Sequence, residues 1–265
     1  MVSVIIPALN EEKTISSVID LVGKSDLVSE ILLIDDKSMD STIEVSRKSK
    51  VRIYTSTKLG KGASMRDGMM LAKNELIVYL DADILTYDEN IISLLASPLL
   101  NDEADFVKSC FGRQAGRITE LVAKPLLSFL FPSLVHFSQP LSGMIAGKKT
   151  LFEKIEFEND YGVDIGILID MHIAGARISE VNIGYIENRM QTWEQLAKMS
   201  REVSRAILRR AGKLEPLNVE TLENLDLIRS QMDYAIRESL IGRTRMLIFD
   251  MDNTLFEGSF ITTAA

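Results

Sequence analysis

From Val2 to Leu80 the chain alternates short apolar runs with stretches of helical spacing. Val2–Ile6, Glu30–Ile34, Arg52–Thr55 and Leu76–Leu80 read as strands, and Glu11–Val22, Ser41–Ser49 and Gly62–Lys73 as helices. This alternation predicts a mainly parallel sheet with helices on both faces. Near-continuous apolar runs such as Ile31-Leu32-Leu33-Ile34 and Leu76-Ile77-Val78-Tyr79-Leu80 suit strands buried on both sides. In open sheets of this kind ligands collect beyond the strands' carboxyl ends. Those ends carry Pro7-Ala8-Leu9-Asn10-Glu11, Asp35-Asp36 and Asp81-Ala82-Asp83.

Beyond this half the pattern loosens. Asp105 to Gly147 is less regular and holds basic and small residues, including Arg113, Gly116, Arg117, Gly143 and Gly147. A helix is expected over Val163–Ala174, a strand over Ile178–Ile183, and a helix over Trp193–Arg210 with Leu196, Met199, Val203, Ile207 and Leu208 at helical spacing, stopped by Gly212. A further amphipathic helix is expected from Val219 to Leu240. These elements divide the chain into a domain over 1–212, a helical linker over 213–243 and a terminal segment over 244–265.

Composition narrows the options. With 265 residues, 46% of them hydrophobic, the chain can bury the core of one large α/β domain with an appendage. A formal net charge of -8 argues against nucleic acid or an anionic membrane as partner, so an anionic substrate must be met by local cations. The single cysteine, Cys110, allows no internal disulfide, and no Cys/His cluster has zinc spacing. With no basic-then-apolar leader at the N-terminus, the cytoplasm is the expected location. Lys124, Pro125, Pro132 and His136 break the apolar stretch Leu121–Phe137 too often for a transmembrane segment. A membrane or dimer contact there stays open, and a homodimer is expected.

Candidate chemistry sits on the strand ends. Asp81 and Asp83 flank Ala82 after an apolar strand, where two carboxylates can bind a hard divalent cation that in turn binds diphosphate oxygens. Standing alone, such a triplet reads as a solvated turn or a helix cap. Gly60 and Gly62 allow close backbone approach and Lys61 supplies positive charge, although an ordinary glycine-rich turn with a solvated lysine has the same sequence.

Taken in order, Pro7 to Glu12, Ile34-Asp35-Asp36-x-Ser38-x-Asp40-x-Thr42, Leu59-Gly60-Lys61-Gly62-Ala63 and Asp81-Ala82-Asp83 resemble the GT-A glycosyltransferases. The resemblance implies the α/β GT-A fold of nucleotide-diphospho-sugar transferases, a mainly parallel central sheet flanked by helices, here with a C-terminal helical extension. It also implies that Pro7, Leu9 and Glu11 line a uridine pocket aided by Asp36, that Lys61 contacts donor phosphate or base, and that Mg or Mn sits at Asp83 assisted by Asp81.

Phe106-Val107-Lys108, Gly116-Arg117-Ile118-Thr119-Glu120-Leu121, Lys124-Pro125-Leu126-Leu127, Gln139-Pro140-Leu141-Ser142-Gly143 and Tyr161-Gly162-Val163-Asp164-Ile165-Gly166 are similar to glucosyl-3-phosphoglycerate synthases and their mannosyl relatives. The likeness covers roughly the first four-fifths of the chain. It implies that Gly116, Arg117 and Thr119 hold phosphoglycerate, with Gly143 also among the substrate-binding residues. An ion pair with Glu120 is the competing reading of Arg117. Asp164 stands where that family usually has glutamate, and its carboxylate would orient the acceptor hydroxyl or accept its proton in a retaining transfer. Its competing role is to cap the helix from Ile165 to Ala174. Where relatives have a metal-binding histidine beyond the glycine matching Gly184, this chain has Asn188, a weaker and harder ligand. His136 and His172 match no motif and are expected in packing or surface hydrogen bonds.

Arg245 to Thr254, with Asp250-Met251-Asp252-Asn253-Thr254, resembles the opening motif of haloacid-dehalogenase-type phosphatases. Only Leu255 to Ala265 follow, too little for that fold, so the fragment is expected to be inactive as a phosphatase and to belong to a longer bifunctional protein or a gene that lost the rest. The leading functional expectation is a retaining transfer of glucose from a nucleoside diphosphate sugar, UDP-glucose, to 3-phosphoglycerate. The alternatives are a polyprenyl (dolichyl)-phosphate sugar synthase, a mannosyl-3-phosphoglycerate synthase, or a catalytically silent nucleotide-sugar-binding module.

Overall fold

The structure is a computed structural model that describes residues 1–112, 116–187 and 192–213. The expected helix at 219–240 and the motif at 245–254 lie outside the described residues. Seven strands form one sheet: β1 (Val2–Ala8), β2 (Val28–Asp35), β3 (Arg52–Thr55), β4 (Leu76–Tyr79), β5 (Phe106–Gly112), β6 (Ile145–Lys148) and β7 (Ile178–Tyr185). The helices are α1 (Ile15–Val22), α2 (Thr42–Ser46), α3 (Lys61–Leu71), α4 (Ile91–Leu100), α5 (Lys124–Leu130), α6 (Lys149–Phe152), α7 (Val163–Ile173) and α8 (Trp193–Arg210).

The strands lie in the order β3-β2-β1-β4-β6-β5-β7. Pairings of β1 with β2 and β4, of β2 with β3 and of β5 with β7 are parallel, so the mainly parallel expectation holds. β6 is the exception, running against both β4 and β5. That reversal matters for the site, because the loop entering β6 arrives at the edge where β4 ends. Successive side chains of a strand point to opposite faces. Val4 and Ile6 therefore pack with Ile15, Val18, Ile19, Ile91 and Leu95 on one face. Ile5, Leu32 and Tyr79 pack with Met65, Met69, Ile165 and Leu168 on the other. Each fully buried side chain of this size contributes about 1.5–3 kcal/mol, which is why both faces are clad in helices.

Two expectations need correction. The helix expected from Glu11 begins only at Ile15, because the preceding amides find partners across the loop: Ser38 Oγ, Thr42 Oγ1 and Asp40 Oδ2 accept from the backbone N–H groups of Asn10, Glu11 and Glu12. The middle is also more regular than its sequence suggests. It holds β5, a π-helical turn at Thr119–Ala123, α5, a short 3₁₀ turn at Pro132–Leu134, and β6. The stretch Leu121–Phe137 buries Leu127, Leu134 and Phe137 and leaves Leu121 and Phe129 exposed. Among the described residues no helix is long and apolar enough to cross a membrane.

Candidate active site

Three parallel strands, β1, β2 and β4, deliver their carboxyl ends to one edge, and the reversed β6 brings Gly143 there as well. Asp81 follows β4. Its backbone is fixed by Tyr87, whose hydroxyl accepts from the Asp81 N–H and donates to the Asp81 carbonyl, each at 3.0 Å. Burial, aided by the charges of Asp81 and Asp83, pushes the Tyr87 phenol well above its ordinary pKa, so it keeps the proton it donates.

Lys61, the first residue of α3, reaches Asp81 Oδ1 at 3.0 Å and Asp164 Oδ2 at 2.9 Å. Burial by itself would lower the Lys61 ammonium, but Asp164 and Asp81 outweigh it and hold its pKa well above the usual lysine range. Gly143 makes room for this bridge: a Cβ there would lie 2.3 Å from Lys61 Nζ and 2.7 Å from Asp81 Oδ1. The expected capping role of Asp164 is not what the fold uses. α7 starts at Val163 after Gly162 with no side-chain cap, and the Asp164 side chain turns to Lys61 instead. Asp164 Oδ1 is buried without a hydrogen-bond partner. Leaving such an oxygen unpaired costs ~1–3 kcal/mol or more, and a ligand hydroxyl would satisfy it. Lys108, fully buried on β5, donates to the Asp164 carbonyl at 2.9 Å and so fixes the first turn of α7. Burial brings its ammonium down to about 8.

Just beyond β2, Asp36 accepts from the Gly60 N–H at 2.9 and 3.0 Å. Burial raises the Asp36 carboxyl despite this bond. Gly60 has φ of +120°, a conformation open to glycine, and the Asn159 carbonyl accepts from the N–H groups of Gly62 and Ala63 at 3.0 and 3.2 Å. Pro7 lies on β1 opposite Ile34, Leu9 is exposed beyond it, and Glu11 Oε2 accepts from Thr14 Oγ1. Asp83, two residues beyond Asp81, has its carboxyl pushed up to about 6 by burial and by the negative charges of Asp81 and Glu11.

The structure thus joins Lys61, Asp81, Gly143 and Asp164 directly, and ties Asp36 to the turn that presents Lys61. Arg117 is held elsewhere, its guanidinium 5.2 Å from the centre of the Trp193 ring. The expected alternative, a pair with Glu120, is not formed, because Glu120 bonds Lys124 at 2.5 Å. Thr119 is buried in the π-helical turn, and Gly116 is partly exposed just before Arg117. Asn188 lies outside the described residues. His172 Nε2 meets Ser133 Oγ at 2.9 Å and His136 packs on Phe137, as expected of residues outside the site. Sequence reasoning missed Tyr87, Lys108 and Trp193. Lys108 carried a signal, a lysine inside an apolar strand, and Trp193 is the chain's single tryptophan; Tyr87 carried none.

Residues 3–154 match the profile described as Glycosyl transferase family 2. The chain is 34% identical over 238 residues to the glucosyl-3-phosphoglycerate synthase of Mycobacterium tuberculosis, covering 80% of this chain and 74% of the relative. It is 32% identical over 247 residues to the synthase of Petrotoga mobilis, covering 83% and 76%. A crystal structure of the Mycobacterium tuberculosis synthase in complex with Mn2+, UDP-glucose and phosphoglyceric acid superposes with a TM-score of 0.78 at 35% identity, covering 82% of this chain and 81% of that one. The GT-A architecture is therefore shared. With its sheet, its turn and its relatives in agreement, the chain belongs to glycosyl transferase family 2, in the group of the glucosyl-3-phosphoglycerate synthases.

Proposed function

We propose that this chain is a retaining glycosyltransferase that moves glucose from UDP-glucose to a hydroxyl of 3-phosphoglycerate, releasing the nucleoside diphosphate. The observation that carries the reading is the Asp81–Lys61–Asp164 bridge set beside Gly143 at the strand ends. It supports the reading because one cation and two carboxylates side by side suit a sugar diphosphate and an acceptor hydroxyl.

A divalent cation fits the residues present. Among the described residues Asp83 has no ion-pair partner, and its carboxyl is raised first by burial and then by the negative charges of Asp81 and Glu11, which a cation would offset. Oxygen donors of this kind suit Mg or Mn, with further ligands supplied by diphosphate and water. No group of three or more His, Cys, Asp or Glu side chains is arranged for a metal among the described residues, so Asp83 and Asp81 would be the protein's share. When bound, the cation neutralises the diphosphate and eases its departure.

The chain's own residues do the rest. Pro7, Leu9, Glu11 and Asp36 form the nucleotide edge. Lys61 offers its ammonium to the diphosphate from a position already fixed by two carboxylates, so little reorganisation is needed. The unpaired Asp164 Oδ1 takes the acceptor hydroxyl's hydrogen bond and receives its proton as the glycosidic bond forms on the face the diphosphate leaves. Arg117, with Gly116 and Thr119, meets the acceptor's phosphate by charge-assisted hydrogen bonds. Anionic soluble substrates fit a cytoplasmic setting, in which a homodimer is the expected state. The motif around Asp250 and Asp252 is proposed to belong to an activity that would remove the product's phosphate.

Initial rates with donor and acceptor varied separately test this. Asp83→Ala is expected to abolish metal-dependent turnover with the melting temperature nearly unchanged. Arg117→Ala is expected to raise the acceptor KM roughly tenfold to a hundredfold, from a lost contact of ~1.5–3 kcal/mol, with donor KM unchanged. Turnover only on a lipid phosphate in vesicles would replace this reading with the polyprenyl-phosphate one.

A further inference from the structure

Trp193 opens α8 and is 77% exposed. Both ends of α8 are anchored. At its start Thr192 and Gln195 form a reciprocal capping box, with Gln195 N–H donating to Thr192 Oγ1 and Thr192 N–H to Gln195 Oε1. At its end Arg210 donates to Glu158 at 2.6 Å and to both Asp170 oxygens at 2.8 Å. The helix that carries Trp193 is therefore fixed on α7, and it packs on the π-helical turn that follows Arg117.

Arg117 lies with its guanidinium over that ring, and among the described residues no carboxylate pairs with it, Glu120 being taken by Lys124. An aromatic face attracts a cation through its quadrupole without supplying a carboxylate or carbonyl acceptor. The guanidinium's planar fork is thus held in place while its N–H groups remain available to an incoming anion. Holding a long side chain beforehand removes part of the ordering cost that binding otherwise carries.

We propose that Trp193 is a positioning residue for the anion-binding site of Arg117, a shelf that presents the guanidinium fork to the phosphate or carboxylate of an organic acid phosphate. The proposal rests on the acceptor reading above and deepens it by naming the residue that sets acceptor affinity.

Because Trp193 is the single tryptophan, the site reports on itself. Emission of the full chain is titrated with 3-phosphoglycerate and, separately, with inorganic phosphate, in the native sequence and in Arg117→Ala. A saturable change in emission that disappears in Arg117→Ala is expected. In steady-state kinetics Trp193→Ala is expected to raise the acceptor KM about twofold to fivefold, the size of an exposed cation–π contact, leaving kcat and donor KM in place, and Trp193→Phe to recover part of the loss. Turnover of 3-phosphoglycerate with flat emission and an unchanged KM in Trp193→Ala would overturn the shelf and leave the function standing. Absence of turnover with an Arg117-dependent emission change would do the reverse, upholding the anion site and removing the proposed reaction. Flat emission with both anions overturns the proposal whatever the kinetics show.

Discussion

Gly62 and Gly143 both admit close neighbours, yet a methyl group at each would do different damage. At Gly62 a Cβ would lie 1.8 Å from the Glu158 carbonyl oxygen and 2.8 Å from Val163 Cβ, atoms held by backbone and packing. Gly62→Ala must therefore shift the chain, and overpacking of this kind costs ~1–3 kcal/mol, read as a lower melting temperature. At Gly143 the nearest atoms are the ends of Lys61 and Asp81, which can swing away. Gly143→Ala is thus expected to melt close to the native protein while losing most of its kcat, because the displaced ends are the charged bridge itself. Native-like rates in Gly143→Ala would mean that the bridge need not keep this geometry for transfer.

The loop before α7 and the helix α8 meet at Glu202, a buried carboxyl that accepts the Tyr161 N–H at 3.3 Å beside Asp160, which is paired with Arg205. Burial, then the charge of Asp160, raises Glu202 to about 7. A carboxyl whose pKa is higher in the folded state binds its proton more tightly there, so stability falls as pH rises through the window from its ordinary value near 4.5 to about 7. Glu202→Gln keeps the acceptor for Tyr161 and removes the charge. Its melting temperature should exceed the native one at pH 8, with the gap closing toward pH 4.5; a less stable variant at pH 8 would refute the argument. Sequence reasoning located these elements well, because strands buried on both faces and an amphipathic α8 leave strong periodicity. It misjudged what depends on partners distant in sequence. The start of α1 is decided by side chains at 38–42 and the orientation of Asp164 by Lys61, neither of which leaves a local pattern. The direction of β6 is likewise invisible in the four residues Ile145-Ala146-Gly147-Lys148, although it brings Gly143 to the site.

Across the molecule, the nucleotide edge is built from early residues and the acceptor side from later ones, with β4 and the reversed β6 as the seam. The strands of the first part pair over modest stretches, as with Leu32 and Arg52 or Val2 and Val28. The bridge from Lys61 to Asp164 spans 103 residues. Closing a longer loop carries a greater entropic cost and gives a slower contact. On this basis we predict an order of assembly: in refolding from denaturant, amides of β1 and β2 gain protection from hydrogen exchange first, and transferase activity returns only afterwards. Pulse-labelled exchange run beside an activity assay would show it, and simultaneous recovery would refute it. A half-folded or half-synthesised chain would then present the proposed nucleotide edge with Lys61 tethered to Asp81 alone, lacking the carboxylate proposed to receive the acceptor's proton, so that reactive chemistry would be withheld until α7 has docked.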